Sequence, residues 1–233
     1  MATTGHTIKA FDEELDQLRA TICEMGGLAE AAIREAMTAL ARRDHAAAAA
    51  VVERDKKIDA LEHEVERLAV QIIALRAPMA DDLRDVVAAL KIAGVVERIG
   101  DYAKNIAKRV ASVEDSRIRA ISLLPEMARI AGEMVRDVLD AFAARDADKA
   151  AAVCERDAAV DDFYNSIFRS LLTHMMENSH NITPATHLLF VAKNLERIGD
   201  HATNVAEMVY FAATGHQMAE RPRGEDLLAP TGE

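Results

Sequence analysis

Glu196-Arg197-Ile198-Gly199-Asp200-His201-Ala202-Thr203-Asn204-Val205-Ala206 repeats, with variation, an earlier stretch, Glu97-Arg98-Ile99-Gly100-Asp101-Tyr102-Ala103-Lys104-Asn105-Ile106-Ala107. Both place two carboxylates four residues apart and an Asn four residues further on. On a helix those three side chains share one face. Like charges at this spacing cost a helix about 0.2–0.5 kcal/mol per pair. Paying that cost twice, at matching places, points to a use for the acids.

The surroundings of the two stretches repeat as well. Leu40-Ala41-Arg42-Arg43-Asp44 returns as Phe142-Ala143-Ala144-Arg145-Asp146, an offset of 102 from Asp44 to Asp146. Glu53-Arg54-Asp55-Lys56-Lys57-Ile58-Asp59 returns as Glu155-Arg156-Asp157-Ala158-Ala159-Val160-Asp161 at the same spacing. The opening phrase recurs 99 residues on, from 97 to 196, so one intervening turn differs in length by three residues. Three matches in one order mean an internal duplication.

The chain of 233 residues is half hydrophobic but only 4% aromatic, with no Trp. Its core must be built from Ala, Leu, Ile, Val and Met, which suits close helix packing. No segment alternates like a strand, and the chain reads as all-α. Breakers and caps give three long helices per copy. In the first copy they run from about Phe11 to Arg42, from an Asp44 cap to about Leu75, and from near Met79 after Ala77-Pro78 to about Val110. In the second they run from about Arg117 to Ala144, from an Asp146 cap to about Met176, and from a turn at Asn178–Pro184 to about Ala213. Pro125 either starts the fourth helix late or kinks it. Gly26-Gly27 is expected to allow close helix approach. The expected organisation is six long helices in two tandem, pseudo-symmetric three-helix bundles, residues 1–112 and 113–214, with a loose tail at 215–233.

Lys and Arg number 28 against 39 Asp and Glu, a net charge of -11. That balance disfavours nucleic acid, an anionic membrane surface or free phosphate as direct ligand, and favours cations and basic protein patches. Cys23 and Cys154 are isolated, as in a reducing compartment. No signal pattern and no apolar run of about 18–20 residues occurs, so the expectation is a soluble cytoplasmic protein without membrane insertion.

Helical phase places the acids. Ile92, Val96, Ile99, Ala103, Ile106 and Val110 form one apolar stripe, and Leu195, Ile198, Ala202, Val205 and Val209 another. Glu97, Asp101 and Asn105, and Glu196, Asp200 and Asn204, lie roughly 150° from those stripes. They belong on an outer face or between bundles. Asp55 and Asp59 flank the stripe of the second helix, and Asp157 and Asp161 that of the fifth. If these helices pack side by side, four carboxylates meet at one place in each copy. Carboxylate and amide oxygens are hard ligands suited to an octahedral Mg²⁺, Mn²⁺ or iron site. The competing reading is an ordinary solvated face, with Arg98 or Arg197 balancing the acids. His201 stands where the first copy has Tyr102, which sets it apart from any repeated chemistry.

These stretches, with Met25-Gly26-Gly27, Pro78-Met79-Ala80-Asp81-Asp82-Leu83-Arg84, Val138-Leu139-Asp140-Ala141-Phe142-Ala143 and Lys193-Asn194-Leu195-Glu196-Arg197-Ile198-Gly199-Asp200, resemble the PhoU family along nearly the whole chain. The resemblance implies six helices in two bundles and a surface metal site at each Glu-x-x-x-Asp. The metal ions it implies are iron or another cation such as manganese, magnesium, nickel or zinc. It implies a homodimeric, non-enzymatic regulator of phosphate homeostasis. Such a regulator couples a phosphate ABC importer, through its ATPase subunit, to a sensor histidine kinase, reaching the inner membrane through these partners. It keeps phosphate uptake and the phosphate-starvation regulon down when phosphate is ample. Ala158-Ala159 in place of Lys56-Lys57 departs from exact repetition and makes the two sites unequal in charge. The chain has no catalytic dyad, no Gly-rich phosphate loop and no nucleophile with a base. Two other classes fit less well. A di-metal oxidase or iron-storage bundle builds Glu-x-x-His pairs facing its interior, whereas the third and sixth helices here lack that pair and their acids face outward. A metal-free structural dimer leaves the repeated acids without a role.

Overall fold

The Arg-Asp pairs that reveal the duplication also build its turns. At Arg43 and Arg145 the backbone turns left-handed, with φ of 56° and 53°. The next amide then reaches back five residues, Asp44 to the Ala39 carbonyl and Asp146 to the Ala141 carbonyl, each at 2.9 Å. This is a Schellman-type helix end. Each Asp then caps the following helix, accepting from the Ala47 and Lys149 amides at 2.9 Å. One dipeptide ends one helix and starts the next.

The computed structural model describes residues 3–113 and 122–219, with side chains from residue 10 onward in the first helix. The helices are α1 (Thr3–Arg42), α2 (His45–Arg76), α3 (Asp81–Ala107), α4 (Leu124–Ala144), α5 (Ala147–Glu155), α6 (Asp157–Glu177) and α7 (Ile182–Thr214), with short 3₁₀ turns at Val110–Val113 and Ser179–Asn181. No strand occurs among the described residues. The six-helix plan holds, with one interruption. The fifth helix of the plan is broken at Arg156 into α5 and α6, where amides bond three residues back, Arg156 to Val153 and Ala159 to Arg156, both at 3.1 Å. Pro125 lies in the first turn of α4 and starts that helix instead of kinking it. The expected start of the fourth helix near Arg117 and most of the expected tail, from residue 220, lie outside the described residues.

The first copy packs α1, α2 and α3 against one another; the second packs α4, α5–α6 and α7. The copies join through α1 on α4 and α3 on α7, and the buried residues of both form one core. Gly26 is where α1 meets α4, since a Cβ there would overlap Leu139; Gly27 faces open space. The expected close approach therefore belongs to Gly26 alone. Tyr102 and His201, equivalent positions of the two copies, meet edge to face with ring centroids 5.1 Å apart. Arg197 lies over Tyr102, and its counterpart Arg98 acts on His201. Equivalent residues in reciprocal contact define the pseudo-twofold axis between α3 and α7.

Candidate functional site

Each acidic groove forms at a glycine. A Cβ on Gly100 would stand 2.8 Å from Ile58 Cδ1 and 3.3 Å from Asp55 Oδ1. A Cβ on Gly199 would stand 3.3 Å from Val160 Cγ1 and 3.2 Å from Asp157 Oδ1. The two glycines let α2 approach α3, and α6 approach α7, at the same point of each copy. The approach carries Asp55 and Asp157 to the backbone of the Glu-x-x-x-Asp helix. The apolar stripes behind that contact, from Ile92 to Val110 and from Leu195 to Val209, are buried.

In the first copy Asp55 is buried at 5% exposure, deeper than the flank position its helical phase implied. It sits close enough to Gly100 to lose most of its water. Lys104 answers it, donating to Asp55 Oδ2 at 2.5 Å, and also forms an ion pair with Asp101. Glu97, Asp59, Asn105 and Glu62 are half-buried beside them. Burial pushes the Glu97 carboxyl above its ordinary range, and Asp101, Glu62, Asp59 and Asp55 push it further. Burial also raises Asp55, against the pull of Lys104. Glu62 is raised by burial and then by Glu66 and Asp59.

The second copy uses the same frame with different counter-charges. Glu196 is largely buried, its side chain 14% exposed, and Lys193 donates to its Oε1 at 2.6 Å. Its Oε2 is buried without a hydrogen-bond partner among the described residues. Burial raises the Glu196 carboxyl, Lys193 lowers it, and Asp200 and Asp161 raise it again. Asp157 and Asp161 are half-buried, whereas Asp200 and Asn204 are exposed. His201 takes no part. Its Nδ1–H donates to the Arg197 carbonyl at 2.9 Å while its ring meets Tyr102. Burial and then Arg98 hold that imidazole below its usual range, so it stays neutral.

A family model described as PhoU domain matches this chain twice, over residues 22–110 and 124–209. The chain belongs to the PhoU family. The "Phosphate-specific transport system accessory protein PhoU homolog" of Zymomonas mobilis is 61% identical over 229 residues, covering 98% of this chain and 97% of that protein. The Caulobacter vibrioides protein of the same description is 48% identical, covering 97% of this chain and 99% of its own length. A crystal structure of PhoU from Pseudomonas aeruginosa superposes with a TM-score of 0.85 at 36% identity, covering 88% of this chain and all of that one.

The metal ions expected of a PhoU chain can be weighed against these side chains. Among the described residues no three His, Cys, Asp or Glu side chains stand ready around one point. Asp55, Asp101 and Glu196 turn to lysines instead. The donor set still suits a hard cation. It consists of carboxylate oxygens, three of the carboxylates already neutralise an ammonium, and Glu196 Oε2 is buried and unsatisfied. A divalent ion would supply positive charge to acids that burial has deprived of water.

Sequence reasoning placed eight carboxylates and missed three neighbours. Glu62 follows Asp55 and Asp59 at helical spacing, so the signal was present. Lys104 and Lys193 each lie three residues from a motif acid, but neither is repeated in the other copy, and a search for repeated chemistry passes over them.

Proposed function

We propose that this PhoU-family chain is the accessory regulator of a phosphate-specific transport system, acting by binding partners and not by catalysis. The observation that carries this is the 61% identity to the Zymomonas mobilis accessory protein, which spans both chains almost end to end. In the finer reading it works in the cytoplasm and as a homodimer. It links the ATPase subunit of a phosphate ABC importer to a sensor histidine kinase. When phosphate is ample, it favours the states of both in which uptake and the phosphate-starvation regulon are low. The absence, among the described residues, of any helix long and apolar enough to cross a membrane fits action through membrane-bound partners.

Removing the gene in its own host tests this reading. The expected result is high alkaline phosphatase reporter activity and raised phosphate uptake in phosphate-rich medium. Unchanged reporter activity and uptake would overturn the reading. Sedimentation of the purified chain tests the dimer.

The same reading assigns a divalent cation to each groove. Glu97, Asp101, Asp55 and Asp59, with Asn105, would hold it in the first copy; Glu196, Asp200, Asp157 and Asp161, with Asn204, in the second. Iron, manganese, magnesium, nickel and zinc are the candidates, and oxygen donors favour the harder ions among them. Support comes from the raised carboxyls and the unsatisfied Glu196 Oε2. Elemental analysis of protein purified without chelator, before and after EDTA, tests it. No bound metal in either sample would overturn it.

A further inference from the structure

We propose that Lys104 and Lys193 are internal counter-cations of the two grooves, each holding carboxylates that a divalent cation needs, so that a metal ion entering a groove competes with its lysine. The inference rests on the metal assignment above and adds what competes with the metal and where.

The two lysines occupy non-equivalent positions of the repeat. The residue 99 positions after Lys104 is Thr203, and the residue 99 positions before Lys193 is Gly94. Thr203 is buried and donates to its own helix, at the Asp200 carbonyl, 2.7 Å away. Gly94 has no side chain to reach the acids. Each copy therefore carries an ammonium that the other lacks, at opposite ends of the same acid frame. Lys104 lies one turn after Asp101; Lys193 lies one turn before Glu196.

Their holds differ. Lys104, 21% exposed, bridges two carboxylates, one of them the buried Asp55. Lys193, 38% exposed, bonds one oxygen of Glu196 and lies 5.2 Å from the ring centroid of Tyr164. Tyr164 stands where the first copy has Glu62, 102 residues earlier. An ammonium bonded to a carboxylate lowers the negative charge that the carboxylate offers to a metal ion. Both are cations, so an arriving metal repels the lysine as well as taking its ligands. Four rotatable bonds let each lysine swing outward. Lys193, with one bond and more solvent, is the easier to displace, so the second groove loads at lower metal concentration than the first.

Manganese titration of the full-length, EDTA-treated chain by calorimetry tests this, with Lys104→Thr and Lys193→Ala compared with wild type. Each substitution should tighten binding at its own groove about tenfold or more and leave the other unchanged, with the larger effect from Lys104→Thr, which frees two carboxylates. Amine labelling followed by peptide mass spectrometry gives an independent reading in the unaltered protein. Added Mn²⁺ should speed modification of Lys104 and Lys193 over that of surface lysines. Circular dichroism melts confirm that each variant folds. Tight Mn²⁺ binding by wild type with no gain in either variant, and no change in labelling, would overturn the displacement while leaving the metal assignment intact. No binding by any form would overturn both.

Discussion

Gly100 and Gly199 leave the least room for a side chain at the grooves. Even a methyl at Gly100 meets Ile58 Cδ1 at 2.8 Å and Asp55 Oδ1 at 3.3 Å. Gly100→Ala should be nearly neutral, because the end of Ile58 yields and alanine favours the helix. Gly100→Leu should lower stability by about 1–3 kcal/mol. It is read as a lower urea midpoint with an unchanged slope. An unchanged midpoint would mean that α2 and α3 are not held at this distance. Glu97 gives a prediction of opposite sign. Burial and its acidic neighbours raise its carboxyl in the folded chain. A raised carboxyl favours folding while protonated, so the benefit is complete below the ordinary value near about 4.3 and disappears as pH climbs through the raised value. Metal-free Glu97→Gln should therefore be more stable than wild type at pH 8, by about 0.5–1 kcal/mol. The gap should close by about pH 4. Melting curves across that range read it, and a gap that does not change with pH would mean that the Glu97 charge is not its source.

The broken helix shows what the repeat did and did not encode. Asp44 and Asp146 announced their caps, and the apolar stripes announced their faces, because both depend on neighbours within one or two turns. The break at Arg156 is not marked by a cap or by a change of apolar stripe. Arg156 reaches Asp137 at 2.5 Å and Glu133 at 2.7 Å on α4, while its counterpart Arg54 reaches Glu35 on α1 and α2 runs on unbroken. Near the break α5–α6 differs from α2 at several positions, among them Ala158-Ala159 where the first copy has Lys56-Lys57. Arg156→Ala should speed amide exchange along α5 relative to α2 and cost about 0.5–1 kcal/mol, the scale of partly exposed ion pairs. Equal protection of α5 in variant and wild type would show that the ion pairs do not hold that segment. The site was legible to the same depth. Acids one turn apart were readable, whereas the burial of Asp55 and the reach of Lys104 are set between helices.

At the scale of the molecule the two copies are joined by more than the duplication predicted. Asp85 on α3, 9% exposed, takes Arg19 of α1 at 2.9 Å and Arg145, beyond α4, at 3.0 Å. One buried carboxylate thus ties the first bundle to the second. The residue 99 positions on is Pro184, so the tie is made once. Asp85→Ala should cost about 2–3 kcal/mol, below the cost of a fully buried pair because both arginines reach water. Differential scanning calorimetry should show the loss as a lower Tm, and a loss under about 0.5 kcal/mol would mean that the arginines find other partners. The axis between the copies carries another consequence. In an ancestor made of two separate, identical repeats, a residue on the axis would face its own copy and could only be kept or changed on both sides together. Covalent fusion removes that coupling. Tyr102 opposite His201 is a pairing that a symmetric assembly cannot encode, and it marks the place where the two halves of the gene became free to evolve apart.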